Sequence, residues 1–316
     1  MREKIAVLMG GRSLEREVSL ASGKQVCEAL STLGYRVLAL DITPELVQTL
    51  RRERPDAAYI ALHGKYGEDG TIQELFEFLS IPYTGPGVSA SALAWDKSVA
   101  KRLFAEEDIP TPPWITLTAD AFKEMGAATA LDIVPEAVGG FPIVVKPSKQ
   151  GSALGLTRVD NAEALPEALL TALSYGEAAV VERWVDGTEL AVSVLDDGAC
   201  PAVLPPVEIV AKSGLFDFSA MYTAGETDYY IPARLPDGVM AEVVRFAADV
   251  HRLLGCRDVS RVDMVVGAEG IPQVLECNTS PGMTEISLLP MAARAADMTF
   301  QDVVGRIVRA ALSRRS

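Results

Sequence analysis

The chain has 316 residues, 49% of them hydrophobic and 23% charged, so it is long enough to bury more than one core and lacks the polar bias of disorder. Its formal net charge of −14 argues against a nucleic-acid partner, because tracking a phosphate backbone needs a basic surface. No apolar run approaches a membrane span, and the sequence has neither an export segment nor a disulfide framework, so we expect a cytoplasmic protein without a membrane partner.

The first 95 residues alternate between short apolar runs and amphipathic stretches. The runs IAVLMGG, YRVLALDI and DAAYIALHG predict strands, and the segments EREVSLASGKQVCEALSTLG, PELVQTLRRERP and TIQELFEFLSI predict helices. Gly34 follows the first predicted helix as a C-cap glycine does. This alternation predicts a doubly wound α/β domain over residues 1–95.

Two further α+β domains are predicted, over residues 96–184 and 185–316. In the first, the helix KSVAKRLFAEEDI precedes two strands, GFPIVVKPS and LTRVDN, a helix AEALPEALLTALSYG and a strand AVVERWVDG. In the second, ELAVSVLDD and PAVLPPVEIV predict strands, VMAEVVRFAADVHRLLG predicts a helix and RVDMVVGAEGIPQVLECN predicts a hairpin. The segment FDFSAMYTAGETDYYIPA has no clean periodicity and predicts a long loop.

The segment MGGRSLEREVS connects the first predicted strand to the first predicted helix, where α/β proteins bind ligands. Ser13 is expected to be the N-cap of that helix. Glu15 has two interpretations, a favourable interaction with the helix dipole or the orientation of a substrate ammonium group. His63 ends the third predicted strand, and it is either structural or lines the same crevice as Glu15.

The segment VVKPSKQGSALG places a lysine at the end of an apolar strand and a glycine-bounded loop after it. Gly151 and Gly155 would let backbone amides approach a ligand, and Lys146 would add a positive charge, which suits phosphate binding. A plain hairpin turn is the alternative. The loop is not a Walker A motif, since no GK[ST] follows its glycines.

The hairpin RVDMVVGAEGIPQVLECN carries acidic residues on both strands. Counting outward from its turn places Asp263 opposite Glu276, with Asn278 and Arg261 on the same face. Two facing carboxylates destabilise a hairpin unless positive charge lies between them. Mg²⁺ takes one or two carboxylates plus substrate phosphates, so the hairpin predicts a magnesium site. The alternative is a solvated edge hairpin with unpaired acids.

These motifs, with others, occur together in one order over nearly the whole chain. They are GGRSLEREVSLASG, LHGKYGEDGTIQ, DKSVAKRL, VVKPSKQGSALG, VERWVDGTEL, RVDMVV and LECNTSPGMTEISLLPMAA. In these motifs the chain resembles the D-alanine–D-alanine ligases, a family of ATP-grasp enzymes. The resemblance implies an ATP-grasp fold of three domains. It also implies that ATP drives the ligation of two D-alanines through an acyl phosphate, for peptidoglycan synthesis.

The resemblance further implies a homodimer that uses ATP and two Mg²⁺ ions, with Mn²⁺ as an alternative ion. The residues implied for the nucleotide are Lys97 and Lys146 at the phosphates, Glu182 and Val185 at the adenine, and Glu189 at the ribose. The residues implied for the magnesium ions are Asp263, Glu276 and Asn278. The loop around Ser152 would close over the γ-phosphate.

For the amino-acid substrates, the resemblance implies one group of residues at each D-alanine. Glu15 would bind the ammonium of the first D-alanine, in a hydrogen-bonded set with Ser152 and Tyr222, and His63 would line that site. The residues implied for the oxyanion and the second D-alanine are Arg261, Gly282, Ser287 and Leu288.

The chain departs from the family pattern in the segment FSAMY. The family commonly has a lysine before the tyrosine, where this chain has Met221, and Lys212 or Lys149 would have to compensate. Tyr222 itself favours an amino acid as second substrate, since a phenylalanine there would resemble the D-alanine–D-lactate ligases. The alternatives are therefore a ligase with another second substrate and a non-catalytic nucleotide-binding protein on the same scaffold.

Overall fold

The computed structural model describes residues 2–125, 127–198, 200–223 and 225–315. Its strands are β1 (Lys4–Met9), β2 (Arg36–Asp41), β3 (Ala57–Ile60), β4 (Trp114–Thr118), β5 (Ile143–Pro147), β6 (Thr157–Val159), β7 (Ala178–Arg183), β8 (Gly187–Leu195), β9 (Ala202–Val203), β10 (Val207–Ala211), β11 (Thr227–Tyr230), β12 (Val259–Gly267) and β13 (Pro272–Asn278). Its helices are α1 (Arg16–Thr32), α2 (Leu46–Glu53), α3 (Thr71–Phe78), α4 (Val88–Trp95), α5 (Lys97–Glu106), α6 (Ala119–Met125), α7 (Ala127–Ala137), α8 (Leu165–Ser174), α9 (Phe218–Tyr222), α10 (Asp237–Leu253), α11 (Leu288–Ala295) and α12 (Phe300–Ser313). None of these helices is long and apolar enough to cross a membrane.

The N-terminal part is a parallel sheet with strand order β2-β1-β3. Successive residues of β1 point to opposite faces, and Ile5, Ala6, Val7 and Leu8 are all fully buried. Ala6 and Leu8 pack with α2 and α3, whereas Ile5 and Val7 pack with α1 and the C-terminal helix α12. Both faces of the sheet are therefore covered, as parallel sheets require.

The central part is an antiparallel sheet with strand order β4-β7-β5-β6. Helix α8 packs against it through Leu165, Ala168, Leu169 and Ala172, which are spaced to fall on one side of a helix. Helix α5 precedes this sheet. Its N-cap residue, Asp96, accepts hydrogen bonds from the amides of the first turn.

The C-terminal part is a sheet with strand order β11-β10-β8-β12-β13, to which β9 is added beside β8. The predicted hairpin is β12 and β13, and it lies at one edge of this sheet. Helix α10 packs against the sheet through residues such as Val243, Phe246 and Val250. The predicted fold class, α/β followed by α+β units, is confirmed by these three sheets.

Two predictions of local structure are wrong. The segment expected to be one long loop contains helix α9, whose N-cap Asp217 accepts a hydrogen bond from Ala220 N at 2.9 Å, and strand β11, which pairs with β10. The partners of β11 lie on another strand, so local periodicity could not reveal it. Ser13 is not the N-cap of α1, because that position is taken by Glu15. Helices α4, α6 and α7 were not predicted.

A buried ion pair joins the N-terminal and C-terminal parts. Arg314 donates two hydrogen bonds of 2.7 Å to the carboxylate of Asp258 and one of 2.8 Å to Tyr83 O. Gly85 N also donates to Asp258, at 2.8 Å. The Asp258 side chain is only 2% exposed, so its charge depends on Arg314 for compensation.

Replacing Arg314 with methionine should therefore lower the free energy of unfolding by about 2 kcal/mol or more, because it leaves the Asp258 carboxylate buried without its counter-ion. Urea denaturation followed by circular dichroism would measure this change. Arg309→Met is the matched control, since Arg309 is exposed on α12. Equal stabilities of the two variants would contradict the assigned role of the pair.

Candidate active site

Residues from separate motifs meet at two adjoining cavities. The first, of about 140 Å³, is lined by many residues, including Glu15, His63, Lys97, Lys146, Ser152, Glu189, Tyr222, Arg261, Asp263, Glu276, Asn278 and Gly282. The second, of about 300 Å³, is lined in part by Lys146, Glu182, Val185 and Glu189. Because Lys146 and Glu189 line both, the two cavities form one cleft. Ser287 and Leu288 line neither cavity.

Three side chains from distant parts of the chain form a hydrogen-bonded set. The Ser152 hydroxyl donates to Glu15 Oε1 and lies 3.0 Å from the Tyr222 hydroxyl. Glu15 stands at the start of α1 but makes no side-chain capping bond, so its carboxylate is free to face the cavity. Ser13 holds this turn, since its Oγ accepts from Glu15 N at 3.1 Å and donates to His63 O at 2.7 Å.

Two glycines make room for the Glu15 carboxylate. A Cβ atom on Gly64 would lie 1.8 Å from Glu15 Oε2, and one on Gly151 would lie 2.8 Å from Oε1. Gly64 also has a φ of +72°, which side chains other than glycine rarely adopt. The loop that carries Gly151 connects β5 to β6, as a hairpin loop does, and it also contacts Glu15.

The environment of Glu15 disfavours its charge. Burial and the nearby Glu68 raise its pKa to about 7, although Ser152, His63 and Lys97 act in the opposite direction. Glu68 is itself buried and lines the same cavity. It was not singled out from the sequence, although it lies in the motif LHGKYGEDGTIQ, four residues after Gly64. Two carboxylates in one buried site favour a positively charged ligand.

His63 connects the N-terminal and C-terminal loops of the site. Its Nδ1 lies 3.0 Å from Ser280 O, which can only accept a hydrogen bond, so Nδ1 carries the proton in the neutral ring. Its Nε2 lies 3.1 Å from Ser22 Oγ, which accepts from Met283 N at 3.2 Å. Both ring nitrogens thus have protein partners. The structural interpretation of His63 fits these contacts, while its ring also lines the cavity.

The pairing predicted for Asp263 and Glu276 is confirmed, although a bulge between Asp263 and Met264 shifts the register nearer the turn. Asp263 pairs with Glu276, and Arg261 pairs with Asn278. Arg261 donates hydrogen bonds of 2.7 and 2.6 Å to the two oxygens of Asp263, and Lys97 Nζ lies 3.2 Å from Glu276 Oε2. The alternative of a solvated hairpin with unpaired acids is therefore wrong, although β13 is an edge strand.

A third acidic side chain lies beside the hairpin. Burial, together with Asp263 and Glu276, raises the pKa of Glu189 on β8 to about 8. Burial also raises the pKa of Asp263. Oxygen donors with unfavourable mutual repulsion are the kind of site that accepts a hard dication. Among the described residues no group of three His, Cys, Asp or Glu side chains is arranged to hold a metal ion.

A buried row of charges lies behind the cleft. Glu182 is 3% exposed, its Oε1 lies 2.5 Å from Lys146 Nζ, and its Oε2 lies 2.8 Å from Lys101 Nζ. Burial would raise the pKa of Glu182, but the two lysines lower it to about 2. Lys101 was missed from the sequence. Its position four residues after Lys97 could have indicated it, because residues i and i+4 share one side of a helix.

The remaining predicted residues lie at the edge of the site. A Cβ atom on Gly282 would lie 2.7 Å from Ser287 Oγ, so the two residues are in close contact. Ser287 Oγ accepts from Thr284 N at 3.0 Å. Leu288 packs in the hydrophobic core, so only its backbone could reach a substrate.

Met221 lines the first cavity and packs against the core. Neither lysine that was expected to compensate takes its place. Lys212 Nζ donates to Gly225 O, and Lys149 Nζ lies 3.3 Å from Asp96 Oδ2.

Comparisons with known proteins agree over nearly the whole chain. The family described as "D-ala D-ala ligase N-terminus" matches residues 4–53 and 47–86, and "D-ala D-ala ligase C-terminus" matches residues 103–309. The D-alanine–D-alanine ligase of Pelotomaculum thermopropionicum is 45% identical over 313 residues, covering 99% of this chain and 98% of that protein. That of Desulforudis audaxviator is 45% identical over 316 residues, covering 99% of this chain and 100% of that protein.

Solved structures give the same result. The D-alanine–D-alanine ligase of Bacillus anthracis complexed with ATP has a TM-score of 0.81 at 31% identity, covering 99% of this chain and 98% of that one. The D-alanine–D-alanine ligase of Coxiella burnetii has a TM-score of 0.83 at 25% identity, covering 99% and 95%.

Glu15→Gln should make the unliganded protein more stable at pH 8, by about 2 kcal/mol. The pKa of Glu15 is raised from 4.5 to about 7 by folding, so its carboxylate destabilises the folded state increasingly as pH rises through this range. The gain should therefore vanish near pH 4. Urea unfolding at both pH values would measure it, with Glu17→Gln, an exposed position on α1, as control. A variant that is no more stable than wild type at pH 8 would show that burial does not penalise this carboxylate.

Proposed function

The chain belongs to the D-alanine–D-alanine ligase family of ATP-grasp enzymes, which use ATP to join two D-alanines for peptidoglycan synthesis, and we propose how its own residues divide this work. The observation that carries the proposal is the convergence of Glu15, Lys97, Arg261 and the hairpin acids on one cleft. The N-terminal, central and C-terminal parts of the chain meet at this cleft, and they contribute both acidic and basic side chains to it.

ATP occupies the cleft between the central and C-terminal sheets. Glu182 and Val185 line its inner cavity, which is assigned to adenine, and Glu189 is assigned to the ribose. Lys97 lines the first cavity, Lys146 lines both, and the two lysines are assigned to the phosphates. Lysine side chains are flexible, so their positive charges can follow the phosphoryl group as negative charge shifts during its transfer.

The first step activates a carboxylate, which is a poor acyl donor by itself. The first D-alanine is held by its ammonium group on Glu15, which Ser152 and Tyr222 orient. A carboxylate oxygen of this D-alanine attacks the γ-phosphorus of ATP, the bond to the β,γ-bridging oxygen breaks, and ADP and an acyl phosphate result. Lys97 and Lys146 stabilise the charge on the transferred group.

The second step forms the peptide bond. The neutral amine of the second D-alanine attacks the acyl carbon and gives a tetrahedral oxyanion. Arg261 and the amide of Gly282 stabilise this oxyanion, and one such donor is typically worth about 3–4 kcal/mol. The oxyanion then collapses, inorganic phosphate leaves, and the amine loses its proton. The backbone at Ser287 and Leu288 is assigned to the carboxylate of the second D-alanine.

The oxygen donors of Asp263, Glu276 and Asn278 fit magnesium, since two carboxylates face each other across one hairpin beside a third buried acid. Two Mg²⁺ ions, with Mn²⁺ as an alternative, would neutralise phosphate charge there and polarise the γ-phosphoryl group. Arg261 and Lys97 now pair with these acids, and each would be released to a substrate when a dication takes its place.

The acyl phosphate must be kept from water, which would hydrolyse it. Helix α9 is suited to act as a lid, because Tyr222 at its end closes onto the loop that carries Ser152.

We also propose three domains, 1–95, 96–184 and 185–316, a homodimer, and a cytoplasmic location where ATP and D-alanine are available.

Asp263→Asn and Glu276→Gln should each reduce D-alanine-dependent phosphate release from ATP at least about 100-fold, because each removes a charge from the metal-binding face. Glu269→Gln is the matched control, since Glu269 is exposed in the turn of the same hairpin. Near-normal release by either site variant would refute the metal assignment. A wild-type chain that binds ATP but releases no phosphate with D-alanine would instead be a binding protein.

Tyr222→Phe should lower kcat with D-alanine by about tenfold, because Ser152 keeps its bond to Glu15 but loses its second partner. Use of D-lactate relative to D-alanine as second substrate should rise. Product analysis with both compounds in competition would measure this ratio. Phe218→Leu serves as control, because Phe218 packs on the Tyr222 ring without joining the hydrogen-bonded set. An unchanged product ratio in Tyr222→Phe would remove this residue from substrate selection.

A further inference from the structure

We propose that Lys101 is the permanent counter-ion of Glu182, and that its presence allows Lys146 to leave Glu182 for the phosphates of ATP. Lys101 would thus be a positioning residue that never touches the nucleotide. The inference rests on the proposed function in one respect, namely that Lys146 binds phosphate.

Lys101 is fixed in place from several sides. Its side chain has no exposed surface, and its Nζ lies 2.5 Å from Thr111 Oγ1 and 2.8 Å from Glu182 Oε2. Thr111 donates in turn to Val274 O at 2.7 Å, and the Trp114 ring centroid lies 5.5 Å from Nζ. Lys101 lines neither cavity of the cleft, and Glu182 lies between its ammonium group and the second cavity.

Lys146 is placed differently, although it pairs with the same carboxylate. It lines both cavities, and its Nζ lies 2.5 Å from Glu182 Oε1. A lysine on the cleft surface can turn towards phosphate oxygens, whereas Glu182 cannot follow, because it lies within the central sheet between Val181 and Arg183 and is 3% exposed.

The cost of moving Lys146 depends on what remains at Glu182. A buried carboxylate that loses its only cation is strongly destabilised, because its charge is uncompensated in a medium of low dielectric constant. With Lys101 still on Oε2, Glu182 keeps one full ion pair when Lys146 leaves Oε1. Burial lowers the pKa of Lys101 to about 8, and repulsion by Lys146 acts in the same direction, so Lys101 pairs with Glu182 more favourably once Lys146 has moved away.

The alternative is that Lys101 merely fills space under the sheet. The two roles predict different effects on ligands with and without phosphates. Adenosine lacks phosphates and does not require Lys146 to move, whereas ADP does. Loss of a permanent counter-ion would therefore weaken the binding of ADP alone, whereas a packing defect would weaken the binding of both ligands.

The test is calorimetric titration of the full-length protein with adenosine and with ADP–Mg²⁺. Lys101→Met keeps the length of the side chain and removes its charge. We expect its Kd for ADP to rise about tenfold or more, since Glu182 would then retain Lys146, while its Kd for adenosine stays within about twofold of wild type. An equal loss for both ligands, or no loss for ADP, would overturn the inference.

A second background isolates the charge of Glu182. In Glu182→Gln there is no buried carboxylate to compensate, so adding Lys101→Met should no longer weaken ADP binding relative to Glu182→Gln alone. If the loss persists in that background, Lys101 acts other than through Glu182 and the inference is wrong. Should Lys101→Met not fold, Thr111→Val, which removes only the partner that fixes the ammonium group, should give the same pattern at about threefold, and equal effects on both ligands would again reject the inference.

Lys146→Met separates this inference from the function on which it rests. If Lys146→Met leaves the ratio of ADP to adenosine affinity unchanged, the assignment of Lys146 to the phosphates fails. If Lys146→Met lowers that ratio but Lys101→Met does not, only the role of Lys101 fails.

Discussion

The constraint on which the site depends is the crowding of buried carboxylates around one cleft. Asp263 faces Glu276 across the hairpin, Glu189 is a third acid whose charge is disfavoured there, and Glu182 pairs with Lys146 in the same cleft. In the protein without ligands each of these acids except Glu189 is held by a cation, namely Arg261, Lys97, Lys146 or Lys101. Binding is therefore an exchange of ion pairs in a poorly solvated space, where charges released from acids become available to phosphates.

The same constraint explains why the site is shared among three sheets. Glu15 and Ser152 are 137 residues apart and still form one hydrogen bond. The glycines beside Glu15 belong to two different loops, and both leave space that a single methyl group would fill. The chemistry is assembled only when these parts are packed together, so small displacements between them control whether the ammonium site exists.

Much of this could be predicted from the sequence, because strand alternation and hairpin counting are local. The opposition of Asp263 and Glu276 was predicted by counting from the turn, but the pairing depends on a bulge between Asp263 and Met264 that the count did not include. Strand β11 was missed because its hydrogen-bond partners lie on another strand, and the short helix α9 was missed although its N-cap Asp217 is local. Glu68 was missed because its burial comes from the surrounding parts of the chain, whereas the spacing of Lys101 from Lys97 could have indicated it. The fixed tautomer of His63 depends on Ser22 and Ser280, which no local pattern connects.

The covering of β1 by α12 has a consequence for biosynthesis. Val303, Val304 and Ile307 close the core over Ile5 and Val7, so strand β1 is completed by a helix that is made much later than the strand. During translation this apolar surface stays open until α12 has emerged, and such surfaces are prone to aggregation. We expect the nascent chain to rely on chaperones until late in its synthesis, and the N-terminal sheet to be a poor autonomous fragment.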